Sequence, residues 1–426
     1  MLKEISSFLW TMSEDYDKGR PKEIFRYSFN DGKLSFDYKQ LPTYTLTENL
    51  KPGPLKNGKK RPILGLKGGF VNYNPKIFTV KESKIRMLLL TLLAYESVNK
   101  VNNPVEETID KKEIEILAHN DIFTNITLKS NQVFNIILYK GKMIFAKAGA
   151  KDMPKRIYSY IGHKFETIVC KTDDPKDSSG FKLLLDGEFG EWKFKTVARI
   201  NGFKKYSRER KKTIDDFSLE ERLNRYTEIR LCYIPDDSKL NELDLIKSKK
   251  EFLEFVDANA KSFESKLSKW LFRSYFGRQD ILIIGLRNEN MKLVCYEEIS
   301  IEYELLPFIK EHYHDLYNLF INRESTLNDA FNKIYDSMIA LREHEKDVFV
   351  VNTKTLEVKK VEEGNGEGGN ELFNDILIEE YRSKIEKNED ILDQCSIIDH
   401  EQLEELRMKT ITDKMDRLAV SNDDDN

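Results

Sequence analysis

The chain has 426 residues, 40% apolar and 11% aromatic, enough for a sizeable core in one large domain or two smaller ones. No apolar run reaches the roughly 18 residues of a membrane helix, and the opening MLKEISSFLW lacks a secretory-signal pattern. Net charge is −4, and the four cysteines, Cys170, Cys232, Cys295 and Cys395, are scattered without a CxxC. That excludes a disulfide framework and a cysteine zinc site, and it favours the cytosol or nucleus. Basic clusters stand out at Lys56–Arg61, Lys204–Lys212 and Lys247–Lys250. Such runs bind phosphate backbones, although each alone is more ordinarily a solvated loop.

In chain order, residues 24–38 alternate around Asp31-Gly32 and predict a hairpin. Residues 82–98 predict a helix packed on most sides. Residues 133–149 predict a second hairpin turning at Lys140-Gly141. Residues 154–170, PKRIYSYIGHKFETIVC, predict a helix whose approach contains Gly162. KLLLDGEFGEW, from Lys182, is an apolar strand ending in carboxylates, with EWKFKTVARI as a further strand beyond it. Residues 225–234 predict another strand. Residues 250–277 predict one long helical stretch capped by Gly277. Residues 280–288 form a buried strand paired with 292–300. Residues 325–345 predict a helix, and 348–362 a last hairpin.

EEGNGEGGNE, residues 362–371, reads as a flexible Gly-rich linker. It divides a globular unit, 1–361, from a helical, acidic C-terminal appendage, 372–426, expected outside the core. Without regular βαβ alternation, the mixture points to an α+β class rather than a doubly wound sheet.

Phosphodiester and pyrophosphate hydrolysis commonly uses divalent ions held by converging carboxylates, with a basic side chain nearby. On strands, residues i and i+2 share a face. An acid-x-acid strand beside an acid-x-Lys strand is therefore a compact metal-nuclease pattern. Here Glu188-Phe189-Gly190 and Glu228-Ile229-Arg230 are a damaged version, with Glu166 upstream as a third carboxylate.

At these residues the chain resembles the DXO/RAI family of decapping nucleases. YIGHKFETIV resembles the motif in which a Gly precedes a metal-site Glu by four residues. KLLLDGEFG and RYTEIR stand in the places of the Glu-hydrophobic-Asp and Glu-hydrophobic-Lys strands. SKIRMLLLTLL resembles the helix with the phosphate-binding Arg, here Arg86. The likeness runs from about Arg20 to Val361. It implies an α+β fold of two mixed or antiparallel sheets flanked by helices, DXO-like, with PD-(D/E)XK-nuclease-like active-site strands. It also implies hydrolysis at RNA 5′ ends with Mg²⁺ or Mn²⁺. In the fungal nuclear branch it implies binding and stabilisation of a 5′→3′ exoribonuclease in RNA quality control and transcription termination, hence a nuclear location.

The resemblance assigns Glu166, Glu188 and Glu228 as metal and catalytic residues, Arg230 as a catalytic position, and Arg86 as a phosphate contact. Lys269 and Arg273, four apart on one helix face, join as cleft phosphate contacts. The departures are Gly190 for an Asp ligand, Arg230 for Lys, and an Arg86 without its framing Trp and Gly. Gly190 removes a charge from the metal site, Glu191 faces the other way unless a bulge intervenes, and Arg230 keeps charge but cannot exchange protons near neutrality. His163 reads as a helix-surface or packing residue, and His312 and His314, spaced i and i+2, read as lying in a helix or loop with no third metal ligand. Three readings follow: an exoribonuclease partner with weak or lost catalysis, an active metal-dependent 5′-end hydrolase, and an RNA-binding module using the basic loops alone.

Overall fold

The computed structural model describes residues 16–17, 19–30, 33–38, 41–44, 50–53, 63–68, 70, 84–99, 111–148, 156–170, 181–209, 211–361, 368–387, 392 and 395–423. The strands are β1 (Lys22–Asn30), β2 (Lys33–Ser35), β3 (Thr43–Tyr44), β4 (Leu64–Gly65), β5 (Glu115–His119), β6 (Val133–Tyr139), β7 (Lys142–Lys147), β8 (Lys182–Phe189), β9 (Trp192–Arg199), β10 (Gly202–Lys204), β11 (Tyr226–Tyr233), β12 (Ile281–Arg287), β13 (Lys292–Ser300), β14 (Val348–Asn352) and β15 (Val358–Lys360). The helices are α1 (Lys84–Asn99), α2 (Asp121–Thr127), α3 (Arg156–Cys170), α4 (Leu219–Leu223), α5 (Lys249–Asn259), α6 (Phe263–Phe276), α7 (Leu306–His312), α8 (His314–Ile321), α9 (Arg323–Leu341), α10 (Gly368–Ile376), α11 (Glu379–Lys387) and α12 (His400–Asp423).

Among the described residues there are two sheets. One has nine strands in the order β15-β14-β6-β7-β5-β9-β8-β1-β2, the other six in the order β3-β10-β11-β12-β13-β4. Both are mixed: β5 runs parallel to β7 and β9, and β11 parallel to β12, while the hairpins are antiparallel. This is the expected α+β architecture of two sheets flanked by helices. The local reasons are visible in the sequence. Lys140 and Gly141 both take positive φ, the geometry a tight two-residue hairpin demands. β12, ILIIGLR, is buried along almost its whole length, so both its faces must be apolar.

Two expectations change in detail. The stretch 250–277 is not one helix: α5 ends at Asn259, and Ser262 turns the chain with φ 57° before α6 begins. Gly162 lies inside α3 rather than on its approach.

The larger correction concerns the C-terminal segment expected outside the core. Residues 368–371 are already the first turn of α10. Phe373, Ile376, Leu377, Tyr381, Leu392, Ile398 and Leu403 are buried in one cluster with Met87, Leu90, Tyr139 and Leu184. The cause is α1. Its sequence, KIRMLLLTLLAYESVN, is apolar on nearly every side, so covering one face with the large sheet leaves another bare. The C-terminal helices close that second face. The closure is hydrogen-bonded too: Leu34 N donates to Ile397 O at 2.6 Å, and Asp399 N donates to Leu34 O at 3.0 Å.

Phe373 is 1% exposed and meets Tyr139 edge-on, with centroids 5.5 Å apart. Phe373→Ala is expected to cost about 3–5 kcal/mol in urea unfolding of the full chain. A loss below about 1 kcal/mol would show that this segment does not belong to the core.

Candidate functional site

α3 lies against β11 and β12 through Phe165 and Val169, which pack with Ile229 and Ile283. This leaves Glu166 on the neighbouring face of α3, 4% exposed. A buried carboxylate must be hydrogen-bonded and neutralised. Arg199, at the end of β9, donates from Nη2 to Glu166 Oε2 at 2.6 Å. Asn201, two residues on, donates from Nδ2 to Glu166 Oε1 at 3.1 Å. His163 Nδ1 stands 3.7 Å from the same carboxylate.

Asn201 also fastens the neighbouring strand. Its Oδ1 accepts from Ile229 N at 3.3 Å, and its own N–H donates to Thr227 O at 3.1 Å. Gln279 Nε2 donates to Arg199 O at 2.6 Å. On β11 itself, Glu228 and Arg230 share a face and form an ion pair through Arg230 Nη2. Glu228 is 2% exposed. Burial pushes the Glu166 carboxyl up, but Arg199, His163 and Arg230 outweigh it and hold the group below the ordinary range. Burial lowers the pKa of Arg230, Glu228 opposes this, and the positive charges of Arg273 and Arg199 lower it further. Among the described residues Arg273 has no carboxylate partner, and its Nε is buried without a hydrogen-bond partner.

Four of the residues named from sequence therefore come together: Glu166, Glu228, Arg230 and Arg273. Lys269 is exposed one turn before Arg273 on α6. Glu188 does not join them. In the β8–β9 pair Lys182 lies opposite Arg199, whereas Glu188 lies opposite Lys193. Glu188 is thus six residues along the strand from the cluster, about 20 Å away at ~3.3 Å per residue.

Gly190 is not a vacated ligand position. It is the turn between β8 and β9, with φ 56°, and a Cβ there would run into the Asn328 amide. Glu191, exposed in the same turn, donates its backbone N–H to Asn328 Oδ1 at 3.4 Å and stays far from Glu166. Arg86 is drawn elsewhere as well: its Nη2 donates to Glu380 Oε1 of α11 at 3.1 Å. His312 ends α7, stacked on Phe308 with centroids 4.3 Å apart, and His314 begins α8, the helical context expected of the pair.

The residues missed in the sequence are Arg199 and Asn201. Arg199-Ile200-Asn201 has the polar-apolar-polar grammar of a site strand, following the alternating WKFKTVA. A search for acid-x-acid passes over it because both charges are wrong.

The donor set does not fit a divalent ion. Such ions take mostly carboxylate oxygens converging on one point. Both buried carboxylates here are already held by guanidiniums, and three arginines surround two acids. Among the described residues no group of three or more His, Cys, Asp or Glu converges.

Two of the three basic clusters are described, the first in part. Within them, Lys204 pairs with Glu298 at 2.5 Å, Lys249 with Glu304 at 3.0 Å and Lys250 with Glu311 at 2.8 Å. Residues 56–61 lie outside the described residues.

No family model matches the chain. Decapping nuclease RAI1 of Yarrowia lipolytica is 29% identical over 181 residues, which cover 39% of this chain and 46% of that protein. The chain thus matches about half the length of this curated relative. Among solved structures, Candida albicans Rai1 in complex with pU5-Mn²⁺ aligns with a TM-score of 0.59 at 15% identity, over 87% of this chain and 97% of that one. Scheffersomyces stipitis Rai1 in complex with (3′-NADP)⁺ and calcium ion gives 0.58 at 15% identity, over 87% and 96%. S. pombe Rai1 in complex with 3′-FADP gives 0.52 at 15% identity, over 80% and 94%. The resemblance read from the sequence is borne out by a relative in sequence and a shared fold.

Two outcomes follow from the geometry. The depressed Glu166 pKa contributes stability above its ordinary 4.5 that is lost as pH falls through the folded value. Arg199→Met leaves that buried carboxylate unpaired and is expected to cost about 1–3 kcal/mol at neutral pH, with the deficit shrinking in acid. A deficit independent of pH in denaturant titrations would show the pair to be uncoupled. Gly190→Asp is expected to destabilise by about 1–3 kcal/mol through its positive φ and the Asn328 clash, with no gain in Mn²⁺ binding by calorimetry. A gain would return the metal strand to β8.

Proposed function

We propose that the protein is a Rai1-like RNA 5′-end-binding protein that has lost metal-dependent hydrolysis and serves as a stabilising partner of a nuclear 5′→3′ exoribonuclease. The observation that carries this reading is the Arg199–Glu166 ion pair. A carboxylate expected to hold an ion is instead neutralised by a fixed cation from the adjacent strand. The shared fold and the relative that bears the name of a decapping nuclease support RNA 5′ ends as the ligand class. RNA quality control and transcription termination, in the nucleus, are the processes such a partner would serve.

The second reading is an active Mg²⁺- or Mn²⁺-dependent decapping nuclease and 5′-triphosphate pyrophosphohydrolase. The relative's name favours it, and the charge of the cluster opposes it. A binding module acting through the basic loops alone is weaker still, because Lys204, Lys249 and Lys250 are engaged with carboxylates of the fold.

The purified chain is expected to show no hydrolysis of 5′-triphosphate or unmethylated-cap RNA with Mn²⁺. It is also expected to co-elute with the exoribonuclease and raise that enzyme's unfolding temperature. Turnover that disappears in Glu228→Ala would establish the active reading instead. Absence of any complex in size-exclusion chromatography would remove the partner role.

A further inference from the structure

We infer that Arg199, Arg230 and Arg273 form a metal-free receptor for the terminal phosphate of single-stranded RNA, with Arg199 as the resident cation of the site. This rests on the reading of the chain as an RNA 5′-end binder. It goes further by assigning the receptor and its independence from divalent ions.

The first argument is the direction in which charge faces. The side chains of Glu166 and Glu228 are 6% and 3% exposed, whereas those of Arg199 and Arg230 keep 28% and 22%. The acids lie beneath, and the arginine side chains are the more exposed partners of each pair. A metal site needs the reverse, with carboxylate oxygens facing the ion. A solute approaching this cluster meets positive charge first.

The second argument is balance. Among the described residues three guanidiniums stand against two carboxylates, an excess of positive charge. Arg273 brings its charge without a carboxylate partner among the described residues. Burial is the main cause that lowers the Arg230 pKa, and the nearby positive charges of Arg273 and Arg199 add to it. An anion placed among them relieves that repulsion.

The third argument is preorganisation. Gln279 holds the Arg199 carbonyl, Asn201 ties Glu166 to the Ile229 backbone, and Glu228 holds Arg230. The donors are set before a ligand arrives, so little ordering cost is left to binding. Guanidinium forks match phosphate oxygens in pairs, which favours phosphate over a simple halide or a neutral end. Exposed Lys269, one turn from Arg273 on the same helix, adds a further cation that can take a backbone phosphate.

The test is fluorescence anisotropy with 3′-labelled oligoribonucleotides bearing a 5′-monophosphate or a 5′-hydroxyl, in EDTA. The full chain is expected to prefer the 5′-phosphate by about tenfold, the worth of one charge-assisted contact. Arg273→Ala and Arg230→Ala are expected to erase the preference while still binding 5′-hydroxyl RNA. Equal affinity for the two ends would overturn the receptor and leave RNA binding standing. Failure to bind either RNA would overturn the underlying reading as well. Competition by inorganic phosphate at the concentration of the RNA would assign the site to free phosphate and overturn the RNA-end assignment.

A second arm inverts the charge. Arg199→Glu with Asn201→Asp places two carboxylates beside Glu166 and Glu228. Mn²⁺ binding by electron paramagnetic resonance is expected to appear in that double variant and to be absent from the parent. Mn²⁺ bound by the parent and lost in Glu228→Ala would overturn the metal-free assignment.

Discussion

A carboxylate taken out of water has to be neutralised where it lies, and Glu166 sets that condition for the whole centre of the molecule. The answer comes from a tripeptide at the junction of the two sheets. Arg199 still pairs with Lys182 in the large sheet, Ile200 N–H donates to Phe181 O, and Asn201 N–H donates to Thr227 O in the small one. The residues that satisfy Glu166 are thus the residues that carry the chain from one sheet to the other. α3, β9 and β11 cannot shift independently without stranding a buried charge. The centre is held as tightly by polar bonds as by the surrounding apolar clusters.

The same constraint can be met by more than one charge pattern. Buried carboxylates on α3 and β11 need a positive partner, and physical chemistry does not specify which. A divalent ion satisfies them when neighbouring strands add further oxygens. A guanidinium satisfies them when a neighbouring strand adds an arginine. Here the i, i+2 pair, Arg199 ending β9 and Asn201 just beyond it, is Arg and Asn, so the positive charge is covalently attached and cannot exchange with solution.

Much of this was legible in the sequence where local chemistry decides. The Lys140-Gly141 hairpin follows from turn geometry, β12 from its unbroken apolar run, and α1 from its continuous leucines. Glu166, Glu228 and Arg230 were identifiable because helix and strand spacing puts each on a definable face. Glu188 was misplaced because KLLLDGEFG satisfies half of the acid-x-acid pattern, and a pattern carries no register. Only the pairing of Lys182 with Arg199 reveals that β9, not β8, delivers its end to the site. Gly190 was a turn glycine whose positive φ is invisible in a linear string. The C-terminal helices were read as an appendage because the Gly-rich stretch before them looks like a boundary. Composition shows where a chain can bend, not what its far side has left uncovered.

That far side bears on how the protein is made. β1 finds its long partner in β8, more than 150 residues later in the chain. The β1–β2 hairpin is finally fastened by the backbone of Ile397 and Asp399, still further along the chain than β8. During synthesis α1 emerges early with a leucine-rich face whose cover is not yet made. A ribosome-bound intermediate therefore exposes a large apolar surface until α10 to α12 are made, as expected for folds dominated by contacts distant in sequence. Completion of the fold waits for α10 to α12, and a product cut short before them carries a permanently open apolar face that chaperones and proteases can recognise.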